Sequence, residues 1–184
     1  MNRVAPMLSE ADHGDVGGAG FRDPVTERIA VFINGIGLRV RRDEVPPQTF
    51  LPGIYIDRCA LIVDEARLRF AGDLLHEAAH LAVVPPRQRA AMRGDAGSDP
   101  AEEMMAIAWS YAAAVHIGLD PAIVFHDEYK GGGAAIMAAF LAGPGFGVPM
   151  LQWVGLAFRS PPDAPPYGPS FPHMRRWLRE DDAS

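Results

Sequence analysis

The sequence predicts an α+β fold, with a small β-sheet packed on one central helix and a mostly helical C-terminal half. Three observations point there. Two short β-rich runs, Ile54-Tyr55-Ile56 and Ala60-Leu61-Ile62-Val63, stand three residues apart. A charge-poor apolar run from Asp73 to Val83 follows them at helical length. Beyond Asp99 the chain reads as capped or Gly/Pro-bracketed apolar segments.

A chain of 184 residues suits one core, and residues 21–184 are expected to form a single domain. Met1 to Gly20 has few large apolar residues and several glycines, so it reads as a disordered leader, with His13 solvated rather than a ligand. It also lacks the apolar stretch of a signal peptide. Pro24 suits a helix start, and Ile29, Phe32, Ile33 and Ile36 recur at helical spacing before Gly37, predicting a helix over 24–37. Short strands are expected inside 38–65, the two β-rich runs forming a hairpin or two adjacent strands separated by Asp57-Arg58-Cys59. The next helix is expected over 73–83, with Asp73 as its cap and Pro85-Pro86 beyond its end. Neither Lys nor Arg occurs between Gly72 and Pro86, so this helix should be buried on most sides.

Residues 87–99 read as a polar, Gly-containing connection. Asp99 as N-cap, Pro100 at the first helical position and Glu102 at N3 form a capping box that opens a helix over 100–117. A shorter helix is expected from Asp120-Pro121 to about His126. From Gly131 to Phe158 there is no charged residue, but Gly131-Gly132-Gly133, Gly143-Pro144-Gly145 and Pro149 cut the run too short to span a membrane. Two short buried helices are expected, as plain core in preference to an apolar substrate cleft. Pro161 to Pro172 reads as irregular, and Met174 to Arg179 as a terminal helical turn.

Composition narrows the function. A formal charge of −6 argues against a nucleic-acid partner, and the short runs Arg39-Val40-Arg41-Arg42 and Arg175-Arg176 read as solvated surface. Cys59 is the only cysteine, which rules out an intrachain disulfide and a thiolate zinc cluster and fits a cytoplasmic protein. No membrane association is expected.

The chemistry concentrates in His76-Glu77-Ala78-Ala79-His80. Histidines four apart on a helix project from one side at about 6 Å of axial spacing, so both can grip one Zn²⁺. Glu77 falls within the same arc and is placed to act as base for a water. The bland reading is a core helix whose two histidines are satisfied by backbone or carboxylate partners. Zinc normally takes a third protein ligand, and the helix opened by Asp99-Pro100 offers Glu102 and Glu103. Glu102 at N3 has a capping task, folding back to the cap nitrogen, whereas Glu103 is free to point elsewhere. Glu103 is therefore the expected third ligand, with Glu102 the alternative and Asp95 and Asp99 weaker. A second electrophile is sought among His116, His126 and Tyr129, although each also suits an ordinary structural role.

A β-rich run, then His76-Glu77-x-x-His80, then a helical glutamate 23 residues beyond His80 resembles the gluzincin branch of the zincin metallopeptidases. Within it, Ile62-Val63-Asp64, Arg69-Phe70, Leu75-His76-Glu77-Ala78-Ala79-His80 and Glu103-x-x-Ala106-x-x-Trp109 are similar to the ImmA/IrrE-type family of small bacterial metallopeptidases. The resemblance spans roughly residues 50 to 115. It implies a zincin-like fold, a Zn²⁺ cofactor with Glu103 as third ligand, and a protein or peptide substrate. Ile107 stands where many gluzincins carry an aspartate, and Ala79 where a glycine is common. Two functions follow as expectations: a zinc-dependent peptidase with Glu77 as general base, or a non-catalytic, partner-binding protein that retains the scaffold.

Overall fold

The computed structural model describes residues 20–97, 99–130, 132–143, 145–158 and 170–181. The expected leader, apart from Gly20, and most of the Pro161–Pro172 stretch lie outside them. The described chain is α+β, with a mixed four-stranded sheet and six α-helices.

Helix α1 (Pro24–Gly35) starts where the sequence indicates: the Asp23 carboxylate accepts from the Thr26 backbone N–H at 2.8 Å and from its hydroxyl at 2.7 Å. Its Ile29, Ala30 and Ile33 face the core. Strands β1 (Arg39–Arg42), β2 (Ile54–Asp57) and β3 (Ala60–Val63) follow. β2 and β3 form the expected antiparallel hairpin, with Ile54 opposite Val63 and Ile56 opposite Leu61. β1 runs parallel to β3 at the edge of the sheet. The basic run thus forms a strand, with Val40 buried and its three arginines exposed, charges that discourage pairing with another chain.

Helix α2 (Ala71–Val83) carries the histidine motif, and every residue from Gly72 to Val83 is buried. It packs against α1, α4 (Pro100–His116) and β3. Asp73 is not its cap. The helix starts two residues earlier, with Phe70 in extended conformation at the N-cap, and Asp73 turns inward from the first turn.

The polar connection holds more order than its composition indicates. Helix α3 (Pro86–Ala91) and the two-residue strand β4 (Arg93–Gly94) lie within it, β4 pairing with Ile56 and Asp57 at the other sheet edge. Arg89 of α3 is buried and donates to Leu81 O at 2.6 Å, Val84 O at 3.0 Å and Arg179 O at 2.9 Å. It thereby satisfies carbonyls at the α2 C-terminus, where a cation also suits the helix dipole.

Beyond α4, the helix expected to reach His126 is a single 3₁₀ turn, Pro121–Ile123, closed by Asp120 accepting from Ala122 N at 2.9 Å. This turn presses on α2: a Cβ on Gly72 would lie 2.0 Å from Ile123 O. Helices α5 (Gly133–Ala142) and α6 (Val148–Trp153) match the expectation of two short helices. Burial matches for neither: in α5 only Gly133 and Phe140 are buried and Leu141 is 77% exposed, and in α6 only Val148 and Leu151 are buried and Trp153 is 82% exposed. Met174 to Arg179 is not helical. It forms a strap in which Arg175 N donates to Leu156 O and Arg179 N to Ala82 O, each at 2.8 Å. No helix among the described residues is long and apolar enough to cross a membrane.

Candidate metal centre

The site forms where α2 faces the first turn of α4. His76 and His80, one turn apart on α2, bring their Nε2 atoms to 3.2 Å. Glu103 reaches across from α4, with Oε2 at 3.3 Å from His80 Nε2 and Oε1 at 3.6 Å from His76 Nε2. One ligand atom from each residue lies within 4.8 Å of the other two. Tetrahedral zinc with bonds of about 2.0–2.1 Å separates its donors by about 3.3–3.4 Å. The two Nε2 atoms stand at nearly that separation, and each has a different oxygen of the Glu103 carboxylate at 3.3–3.6 Å. Buried His80 Nδ1 and Glu103 Oε1 have no hydrogen-bond partner. A cation between the two Nε2 atoms and Glu103 would engage the orphaned Oε1, so the donor set fits a divalent cation.

The tautomer of His76 follows from its surroundings. Ser110 Oγ donates to Ala106 O at 2.6 Å, so its proton is committed, and Oγ lies 3.4 Å from His76 Nδ1. A proton on His76 Nδ1 would meet the lone pairs of that hydroxyl, and this is the tautomer that would leave Nε2 open to a metal ion. Burial pushes the His76 imidazole down to about 4, so it is neutral at physiological pH. Hydrogen bonding to His76 and His80 holds the Glu103 carboxylate well below the usual range.

Glu77 is buried, and desolvation pushes its carboxyl up to about 7. It lies in the walls of two concavities that flank the histidines. One also includes Phe70, Asp73, His126 and Tyr129; the other includes Asp95, Gly97 and Glu103. Phe50 and Lys130 border both.

The two candidate glutamates part as expected in position, but not in the task given to Glu102. Asp99 caps α4 by accepting from Ala101 N at 2.7 Å and Glu102 N at 3.3 Å. Glu102 Oε1 instead accepts from Gln88 Nε2 at 2.7 Å, tying α4 to α3. Asp95 accepts from Gly97 N at 3.1 Å and does not join the cluster. Of the three electrophile candidates, Tyr129 reaches the centre. Its hydroxyl is 3.3 Å from His76 Nδ1 and 3.4 Å from Nε2. Burial, aided by the nearby Glu103, Asp73 and Glu77 carboxylates, raises its pKa, so the phenol stays protonated. His126 stacks on Phe70 and meets Asp73 Oδ1 at 3.1 Å. His116 packs with Phe32 and Trp177 at the far end of α4.

Ser110 and Lys130 escaped the sequence reading. Ser110 stands two turns from Glu103 on one face of α4, a spacing that could have revealed it. Lys130 Nζ lies 3.3 Å from Glu103 Oε2 and is placed by the turn after Tyr129, where Gly132 N donates to Tyr129 O at 2.8 Å. That turn is locked by close contact, since a Cβ on Gly133 would lie 1.7 Å from Phe125 O. No known family matches this chain, and neither the curated proteins nor the solved structures contain a match to it.

Proposed function

We propose that this protein is a zinc-dependent peptidase of zincin type, similar to the ImmA/IrrE-type family, with Zn²⁺ held by His76, His80 and Glu103. The observation that carries the reading is the convergence of those three side chains at metal-binding separations, with Glu77 beside them in a cleft. Zinc bound there would supply Lewis acidity, lowering the pKa of a water toward about 7 and polarising a carbonyl. Glu77 sits one residue after the first histidine and acts as the proton acceptor, later returning the proton to the leaving amine. Tyr129 keeps its phenolic proton and offers a hydrogen bond toward a carbonyl oxygen in the cleft, while Ser110 fixes the His76 ring. The substrate is a protein or peptide whose extended chain crosses both concavities. The exposed lone Cys59 and the formal charge of −6 agree with a cytoplasmic site of action and no nucleic-acid partner.

The test is Glu77→Gln assayed beside wild-type protein on a peptide library, with zinc measured in both. Zinc is expected in both proteins and cleavage only in the wild type. Zinc in both with cleavage in neither would favour the non-catalytic, partner-binding alternative. Equal cleavage by both would remove Glu77 from the reaction.

A further inference from the structure

The cleft contains a cation that metal binding and proton transfer do not use. Lys130 borders both concavities, as Phe50 and Glu77 do. Its Nζ lies 3.3 Å from Glu103 Oε2 and 5.5 Å from the centre of the Phe50 ring, and its side chain is 57% exposed. An ammonium has three N–H donors. Glu103 takes one, and the aromatic face beside it attracts the charge without accepting a conventional hydrogen bond.

Apart from Glu77, the proton carrier, the other charges along the two walls are already matched. Arg69 Nη2 donates to Glu128 Oε1 at 2.9 Å, Asp73 holds His126, and Asp95 accepts from its own loop. The Glu103 carboxylate is shared between Lys130 and the two histidines. A divalent cation held by that cluster would draw on the Glu103 charge, leaving the Lys130 charge and its outward donors for a ligand in the cleft, beside the apolar surface of Phe50.

We infer that Lys130 is the anion-recognition residue of this cleft, selecting peptides with a carboxylate close to the bond presented to Glu77. The inference rests on the peptidase reading above and adds a substrate class to it. The carboxylate comes either from the peptide's own C-terminus or from an Asp or Glu side chain, and an ammonium serves both. A cation between two concavities reads a charge near the middle of a ligand that spans them.

The test uses zinc-loaded full-length protein in the Glu77→Gln background, so that peptides are bound and not cut, with zinc content measured first. Three probes are titrated calorimetrically: acetyl-Ala-Phe with a free carboxylate, the same peptide as its amide, and acetyl-Glu-Phe amide. At least one carboxylate-bearing probe is expected to bind about tenfold or more tightly than the neutral amide, and the one that gains identifies the source. Adding Lys130→Met should leave one zinc per chain and make all three probes bind alike. Equal binding of the three probes with Lys130 intact, or a preference that survives Lys130→Met, would overturn the inference. Loss of zinc from the Lys130→Met protein would also overturn it, by making Lys130 a structural partner of Glu103. Absence of zinc from the protein that retains Lys130 would instead remove the metal reading beneath it.

Discussion

Helices α2 and α5 look alike in composition and differ in fate. Both are short, rich in Ala, and free of Lys and Arg. α2 is buried along nearly its whole length because α1, α4 and β3 surround it and Arg89 closes its C-terminus. α5 is held mainly along one side, by Phe140 stacking on Tyr111 at 4.4 Å and by the close contact of Gly133 with Phe125. The lesson concerns polar groups. In α2, His76, Glu77 and His80 interrupt the apolar surface and converge with Glu103, whereas α5 offers no side chain to build a site. Apolar composition alone does not decide which helix becomes a core.

The sharpest contrast is between Leu75 and Leu141. Leu75→Ala removes a side chain with 0% exposure and is expected to destabilise by about 2–5 kcal/mol, measured by urea unfolding. A loss below about 1 kcal/mol would mean that α2 is less enclosed than its neighbours indicate.

Next comes the closure of α2. Arg89→Met keeps the apolar stem but strips three carbonyls of their donor, with an expected cost of about 1–3 kcal/mol. Hydrogen exchange should speed up at Arg179, whose N–H donates to Ala82 O in the same junction. Unchanged exchange there would separate the strap from α2.

Asp23 gives a smaller effect with a definite sign in pH. The Thr26 hydroxyl and then the Thr26 backbone N–H hold its carboxylate below the ordinary value. The stabilisation is therefore fully present above the ordinary carboxylate pKa and is lost as pH falls through the lower folded value. Asp23→Ala should cost about 1 kcal/mol at neutral pH, and the gap in melting temperature should close as pH falls from roughly 6 to 3. A gap that widens on acidification would contradict the cap.

The smallest effect is expected on α5. Leu141→Ser should change stability by less than about 0.5 kcal/mol by the same urea measurement. A larger loss would show that the exposed face of α5 is covered in solution.

The comparison also explains what could be read from the sequence. Three polar residues at helical spacing in an otherwise apolar run mark α2, and Asp99-Pro100 marks the start of α4, which puts both Glu102 and Glu103 in its first turn. The choice of Glu103 rested on a capping task that Glu102 does not perform. The task given to Glu102 was wrong because Gln88, on a helix too short to show periodicity, competes for its carboxylate. β4 was missed for the same reason, since two residues carry no alternation. Asp73 looked like a cap because it precedes the apolar run. Its role depends on His126, 53 residues away. Ser110, Tyr129 and Lys130 likewise take meaning only from tertiary contact with His76 and Glu103.

The central claim is that His76, His80 and Glu103 hold one zinc ion. It is tested most directly by elemental analysis of protein purified without chelator or added metal. Wild type and Glu102→Ala are expected to carry about one zinc per chain, while Glu103→Ala and the His76→Ala, His80→Ala double variant should carry almost none. Zinc content unaffected by the double histidine change would contradict the account.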